Sequence, residues 1–305
     1  MSKKRLLAYL ALLGNTLIWG LALPIVKKGF ESGLTPTNFL LGRFFMATLF
    51  SLPIVIYLEV KHKQIRKHFT LKNILKIIPL ELLGTFIALY LLYQGLSKTS
   101  SIEASLIAIT WPVLVTLGGV WFFREKVEKH ELLGLTLALA GTTLLVGEPL
   151  IRNHGFSGSL TGNLLILGQN LAIAAYYLLA KKHYAGINKW LVTHISFWIG
   201  LICFGAVALV SGESLSWQPS FWPTTAIIYM GVLGSILGLT LYLIGQDKIE
   251  ASEASLFTYL QPIFAIPLAM ILLSESIHLI EILAIAIIIT GVYLAERPSA
   301  DIDRR

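Results

Sequence analysis

Short polar joints cut the chain into ten apolar segments, approximately 6–26, 36–58, 73–95, 100–122, 130–148, 160–181, 189–211, 221–245, 251–273 and 277–296. A helix crosses the apolar core of a bilayer with roughly 17–25 mostly apolar residues, each rising about 1.5 Å. Every backbone amide in lipid must find its partner within the protein, so only helices and closed barrels can span. Barrel strands alternate with a period of two. Runs such as Ile282–Leu294 do not, so the segments read as helices. Glu81 interrupts the third. With 55% hydrophobic and 13% charged residues, the 305-residue chain has too few charges to clothe a soluble surface. The longest hydrophilic stretches, Glu59–Lys72 and Glu148–Leu160, are of loop length, so no separate soluble domain is expected.

The basic residues set the orientation. With the N-terminus in the cytoplasm, nineteen of the twenty-four Lys and Arg fall on the inner side. Four, Lys27, Lys28, Lys98 and Arg152, fall outside, and Arg43 alone lies within a span. Positive charge on inner loops predicts both termini in the cytoplasm and an even number of spans. The net charge of +7 thus follows from topology and implies no nucleic-acid partner. The Lys61–Lys76 cluster also suits anionic lipid. The first segment follows Lys3-Lys4-Arg5 as a signal peptide would. It is too long for that role and holds Asn15 and Trp19, so it reads as a retained span. Cys203 is the single cysteine, which excludes an intrachain disulfide.

The chain repeats itself. A shift of 150 residues aligns Leu91–Leu145 without a gap and pairs Glu103 with Glu253, Ser105 with Ser255, Pro112 with Pro262, Glu125 with Glu275, Glu131 with Glu281 and Gly141 with Gly291. A shift of 154 aligns Leu13-Gly14 through Lys27-Lys28 with Leu167-Gly168 through Lys181-Lys182. Apolar sequence gives chance Leu and Ala matches, but not aligned Glu, Pro and Gly at fixed spacing. The expected organisation is two units, 1–149 and 150–305, with five spans each. An odd number inverts the second copy in the membrane. Inverted repeats mark carriers whose halves rock about a site near the midplane.

Gly95-Leu96-Ser97-Lys98-Thr99-Ser100-Ser101, then Glu103-Ala104-Ser105-Leu106, Pro112, Phe123-Arg124-Glu125, Glu131-Leu132-Leu133-Gly134 and Ala140-Gly141 resemble one EamA repeat. Glu253, Pro262, Glu275, Glu281 and Gly291 repeat the pattern, and Trp19-Gly20 and Arg43 also fit. Over nearly its whole length the chain is similar to ten-helix EamA-type transporters of the drug/metabolite transporter superfamily. The resemblance implies alternating access and export or exchange of small metabolites, such as amino acids or amphipathic compounds. Two departures make the expected cavity asymmetric: the second half has no Arg to match Arg43, and Gln261 stands where the first half has Trp111.

Arg43 is expected about 10 Å below the outer end of the second span, by seven residues of helical rise. An ionised group at that depth needs a partner or hydration. It is a candidate for a substrate anion, for backbone carbonyls, or for snorkelling outward. Glu81, roughly 12 Å deep by the same rise, is the candidate protonatable group. Asn15, Trp19, Tyr90, Trp111, Gln169, Asn170, Tyr177, Tyr242, Tyr259 and Gln261 complete the candidate substrate-binding set. Convergent amides and aromatics suit a neutral or zwitterionic ligand with an apolar body. Hydrogen bonding between helices explains the amides equally well. Tyr93 and Gln246, near segment ends, fit an interfacial belt. His194 reads as a hydrogen-bonded packing residue. Glu125 and Glu275 read as caps at tight turns, Pro112 and Pro262 as bends. Gly118-Gly119, Gly134 and Gly141 read as close packing. The almost wholly apolar fifth and tenth spans are expected away from the cavity, at the periphery or a dimer contact.

The fold class is therefore an all-α polytopic membrane protein, ten transmembrane helices as two inverted five-helix repeats. It is expected in the cytoplasmic membrane as a monomer or homodimer. A small-molecule substrate, membrane lipid and protons are its candidate partners. The chain has no Cys/His metal spacing, no GxSxG and no phosphate-binding glycine loop, so neither an enzyme, a metal site nor a cofactor is expected. A lipid or lipid-linked sugar flippase, and an uncoupled facilitator or channel of the same fold, are the alternatives.

Overall fold

The computed structural model describes residues 3–62, 65–123, 129–153, 158–184, 186–212, 220–246 and 257–295. Among these residues every regular element is helical. The chain runs through α1 (Lys3–Glu31), α2 (Pro36–His62) and the short α3 (Ile65–His68). Then α4 (Leu71–Glu81) continues through a π-helical stretch, Leu82–Ile87, into α5 (Ala88–Leu96). Next come α6 (Ser101–Ala108), α7 (Trp111–Phe123), α8 (Lys129–Asn153), α9 (Gly158–His183) and α10 (Lys189–Val210). A second π-helical stretch, Tyr229–Gly238, joins α11 (Phe221–Ile228) to α12 (Leu239–Gln246). A 3₁₀ turn, Phe257–Leu260, leads into α13 (Gln261–Leu273), and α14 (Leu279–Ala295) follows.

Six helical stretches are long and apolar enough to cross a membrane: Lys4–Glu31, Pro36–Lys61, Leu71–Leu96, Ser159–Ala180, Lys189–Val210 and Phe221–Tyr242. Shorter apolar helices, Ser101–Val115, Leu132–Glu148, Phe257–Leu273 and Leu279–Leu294, fall in the other four apolar segments. Val210, Ile271 and Trp121 are more than four-fifths exposed on the outside of the bundle. Against water that surface would be costly; against acyl chains it is not. Phe39, Phe44, Phe204, Leu106 and Ile107 fill the interior.

In the fourth apolar segment a two-residue turn interrupts the α-helical ladder. The ladder breaks between α6 and α7, at Ile109–Thr110, two residues before Pro112. Proline lacks the N–H that would continue the ladder and crowds the preceding turn. Thr110 Oγ1 donates to the Ile107 carbonyl at 2.7 Å, and Asn170 Nδ2 donates to the same oxygen at 2.7 Å. The break is thus repaired by side chains. Pro262 enters differently, at the first turn of α13, where an N–H is not needed.

Long-range contacts define two ends of the bundle. At one, Thr16 Oγ1 donates to the Phe257 carbonyl, and the Tyr9 ring meets Phe257. This is the N-terminal end. At the far end, Lys27 reaches the Thr99 carbonyl, Ser101 meets Glu275, and Glu103 meets Asn163. Helices α8 and α14 pack on one another. A Cβ on Gly141 would lie 2.9 Å from the Ala284 carbonyl, and one on Gly291 would lie 2.6 Å from the Gly134 carbonyl. That close approach needs glycine on both helices.

Candidate functional site

A cavity of about 260 Å³ lies in the middle of the bundle. Seven of the twelve residues expected at the binding site line it: Trp19, Arg43, Trp111, Gln169, Tyr177, Tyr242 and Gln261. They come from α1, α2, α7, α9, α12 and α13. Described residues of α8 and α14 are absent from its walls. Gly20 lets α1 approach α13 there, since a Cβ would stand 2.8 Å from the Gln261 carbonyl.

Two stacked aromatic pairs form much of the wall. Trp111 stacks on Tyr177 with centroids 4.7 Å apart and planes at 12°. Trp19 stacks on Tyr242 at 5.8 Å and 26°. Trp19 also donates its indole N–H to the Gly234 carbonyl at 3.0 Å, and Asn15 Nδ2 donates to the Gly238 carbonyl at 2.9 Å. Both acceptors belong to the second π-helical stretch, whose altered register leaves carbonyls for outside donors. Asn15 thus anchors α1 to this stretch and does not line the cavity.

Arg43 reaches the cavity from α2. Its Nε donates to Ser235 Oγ at 3.2 Å and one terminal nitrogen donates to Tyr93 Oη at 3.0 Å. The guanidinium also sits over the Phe44 and Tyr93 rings, 5.4 and 5.8 Å from their centroids. Among the described residues no carboxylate pairs with it. Gln169 is 6% exposed, and its Oε1 has no hydrogen-bond donor. The walls therefore offer a cation lacking a counter-ion, an acceptor lacking a donor, and four aromatic faces. Chemically that set can hold an anionic group, an N–H donor and an apolar body.

Four other expected site residues lie elsewhere. Asn170 serves the break in the fourth segment, with a second bond to Thr110 Oγ1 at 2.9 Å. Tyr90 packs beside Phe86. Tyr259 borders a separate apolar groove between α13 and α14. Glu81, 2% exposed, holds three hydroxyls: Thr85 donates at 2.6 Å, Tyr176 at 2.9 Å and Tyr184 at 2.8 Å. Ser196 extends this network through Thr85 at 2.7 Å. Burial first, and then the Glu81 carboxylate, push the Tyr184 phenol up from its ordinary value, so it stays a donor. His194 lies between Ser51 at 3.0 Å and Trp198 at 3.1 Å. Since the indole can only donate, the imidazole accepts at Nε2 and carries its proton at Nδ1.

Tyr93 differs from its expected place in an interfacial belt. It is 2% exposed, holds Arg43 and lines the cavity. Its position near a segment end could not reveal that α5 turns this side chain inward. Ser105, Met230 and Thr258 also line the cavity without having been singled out. Ser105 sits in the repeated Glu-Ala-Ser-Leu motif, whose repetition marks the duplication and says nothing of a place in the cavity wall. Glu125 and the second copy of that motif, residues 253–256, lie outside the described residues, as do the side chains of Glu131 and Gln246.

One helical turn beyond the lining residues Ala22, Leu92 and Ser105, toward the far end, Val26, Leu96 and Ser101 are fully buried, as is Ile102, and leave no opening among them on that side. Tyr177, in the wall toward the opposite end, is partly exposed. Among the described residues no group of three or more His, Cys, Asp or Glu is placed to hold a metal ion.

An apolar-coated helical bundle around a polar and aromatic chamber is an integral membrane protein of the transporter class. A model of the EamA-like transporter family matches residues 6–147 and again 160–296, and the chain belongs to that family, within the drug/metabolite transporter superfamily. It is 24% identical over 291 residues to the uncharacterized transporter YetK of Bacillus subtilis (strain 168), covering 95% of this chain and 84% of that protein. It is 27% identical over 298 residues to YyaM of the same organism, another uncharacterized transporter, covering 96% and 94%. An uncharacterized transporter of Archaeoglobus fulgidus is 25% identical over 283 residues, covering 92% and 95%. One solved crystal structure superposes with a TM-score of 0.63 over 100% of this chain and 99% of its own, at 18% identity, a likeness of fold.

Proposed function

We propose that this protein is a secondary carrier that exports a small metabolite, an amino acid or an amphipathic compound bearing a carboxylate, across the cytoplasmic membrane by alternating access. The observation that carries the reading is the guanidinium of Arg43 in a wall that supplies no carboxylate among the described residues. A ligand carboxylate completes that charge, Gln169 Oε1 takes an N–H, and the stacked Trp and Tyr pairs face the apolar body. The volume of about 260 Å³ suits a small ligand better than a lipid or lipid-linked sugar.

In this reading ten helices cross the bilayer as two inverted five-helix units, 1–149 and 150–305, with both termini in the cytoplasm. Several features support the inversion. Helices α8 and α14 are counterparts under the 150-residue shift and run antiparallel, residue 141 meeting 284 and 288 while 291 meets 134 and 138. The π-helical stretches 82–87 and 229–238 overlap under the same shift. The two aromatic pairs take one partner from each unit. Closure at the far end then corresponds to a chamber reached from the cytoplasm, from which an exporter loads.

The test is counterflow. Proteoliposomes preloaded with unlabelled candidate amino acids or amphipathic acids should accumulate the labelled compound transiently. Arg43→Ala should weaken uptake at least about tenfold, the cost of losing a hydrogen bond to a charged group. Equal flux by Arg43→Ala, or movement of labelled lipid in place of any metabolite, overturns the proposal.

A further inference from the structure

Glu275 lies just past α13, and its carboxylate spans the gap to the first turn of α6, 174 residues away in sequence. Oε1 accepts from the Ser101 amide at 2.7 Å. Oε2 accepts from Ser101 Oγ at 2.9 Å and from the Ile102 amide at 3.0 Å. Early amides of a helix have no partner within it, and a carboxylate is the acceptor that best complements them. The third amide of the turn, Glu103, is served by the N-cap hydroxyl of Ser100 at 3.0 Å. Glu275 therefore meets a need that local sequence leaves open, and meets it from the other repeat.

Three features fit a contact that is made and broken. It lies over the closed end of the cavity, where Ser101 and Ile102 are fully buried. Glu275 itself is only half-buried, so water can solvate the released carboxylate and the opened helix end. The residue before it, Ser274, holds φ at +55° in the left-handed region, turning the chain back toward α6. Lys27 braces the same layer by donating to the carbonyls of Leu96 and Thr99 at 3.0 and 2.8 Å.

We propose that Glu275 is the latch of the far-end gate, the residue whose hold on Ser101 and Ile102 sets how often the cavity opens on that side. The proposal rests on the alternating-access reading above. Its test uses the full-length chain with Cys203→Ser and one reporter, Ala108→Cys, a small change in the cavity wall beneath the seal. Intact cells are treated with a membrane-impermeant maleimide. Glu275→Gln leaves one oxygen for several donors and should raise the labelling rate about tenfold. Ser101→Ala should raise it less, and should add nothing once Glu275 is Gln. Lys28→Ala, which breaks an exposed pair with Glu31 at the same end, should leave it unchanged. If Glu275→Gln does not fold, Glu275→Asp, whose shorter carboxylate cannot reach both amides, should give an intermediate rate. Labelling of a folded Glu275→Gln or Glu275→Asp protein at the parental rate overturns the latch. Simultaneous reaction of the parental reporter from both faces would instead overturn alternating access, so the two failures are distinguishable.

Discussion

Arg43 and Glu81 are the two charges whose depth drew attention, and their surroundings separate them. Arg43 meets hydroxyls and ring faces at a cavity wall. Glu81 is enclosed by three O–H donors away from that wall, yet Tyr176, one of them, lies edge-on to Tyr177 of the cavity at 5.4 Å. We propose that Glu81 couples transport to protons. Glu81→Gln, a neutral amide that cannot ionise, should flatten the pH dependence of transport measured in proteoliposomes. An unchanged profile would remove Glu81 from coupling. Glu81→Ala should lower the melting temperature in a thermal-shift assay, because each buried hydroxyl it strands costs about 1–3 kcal/mol. The places of Arg43 and Glu81 well inside apolar segments were legible from the sequence alone. Their partners were not, since Ser235 and Tyr184 lie 192 and 103 residues away in sequence. Tyr93 shows the limit from the other side: position within a segment says how deep a residue lies, not which way it points.

Among the elements, the apolar periodless segments and their joints fixed where helices run. Proline marked the break in the fourth segment, but Asn170, the distant residue that adds a donor to the Ile107 carbonyl there, was not legible from the segment itself. The π-helical stretches have no apolar pattern of their own to mark them, and the helices they pack on, α9 and α10 for the first and α1 and α2 for the second, lie far off in sequence. The α8 and α14 contact was foreshadowed by aligned Gly141 and Gly291, but as close packing without a named partner. Its energetic claim is specific. Gly141→Val places new atoms against the backbone and side chain of α14, 2.8–3.1 Å from the first added carbon. It should cost about 1–3 kcal/mol in stability, the usual range for overpacking. Gly147→Val in the same helix, where a Cβ meets nothing within 4 Å, should be near neutral. Equal melting temperatures for the two variants would show that this interface does not bear on stability.

At the scale of the whole molecule, the duplication in sequence and the paired features of the structure carry one idea. We propose that two related five-helix units face each other from opposite sides of the bilayer, giving states of similar energy open to either side. The shared residues mostly hold helices together, as Glu275 and Gly291 do. Several unshared ones, Arg43 and the Trp111 and Gln261 pair, meet at the chamber. The measurement that reaches this idea most directly is topology. Alkaline phosphatase fused after Ser100 should be active and a fluorescent protein fused there dark, which places that joint outside. Fused after Glu250, its counterpart in the second repeat, the fluorescent protein should be bright and the phosphatase inactive. The same side for both joints would contradict the inverted repeat and the alternating access built on it.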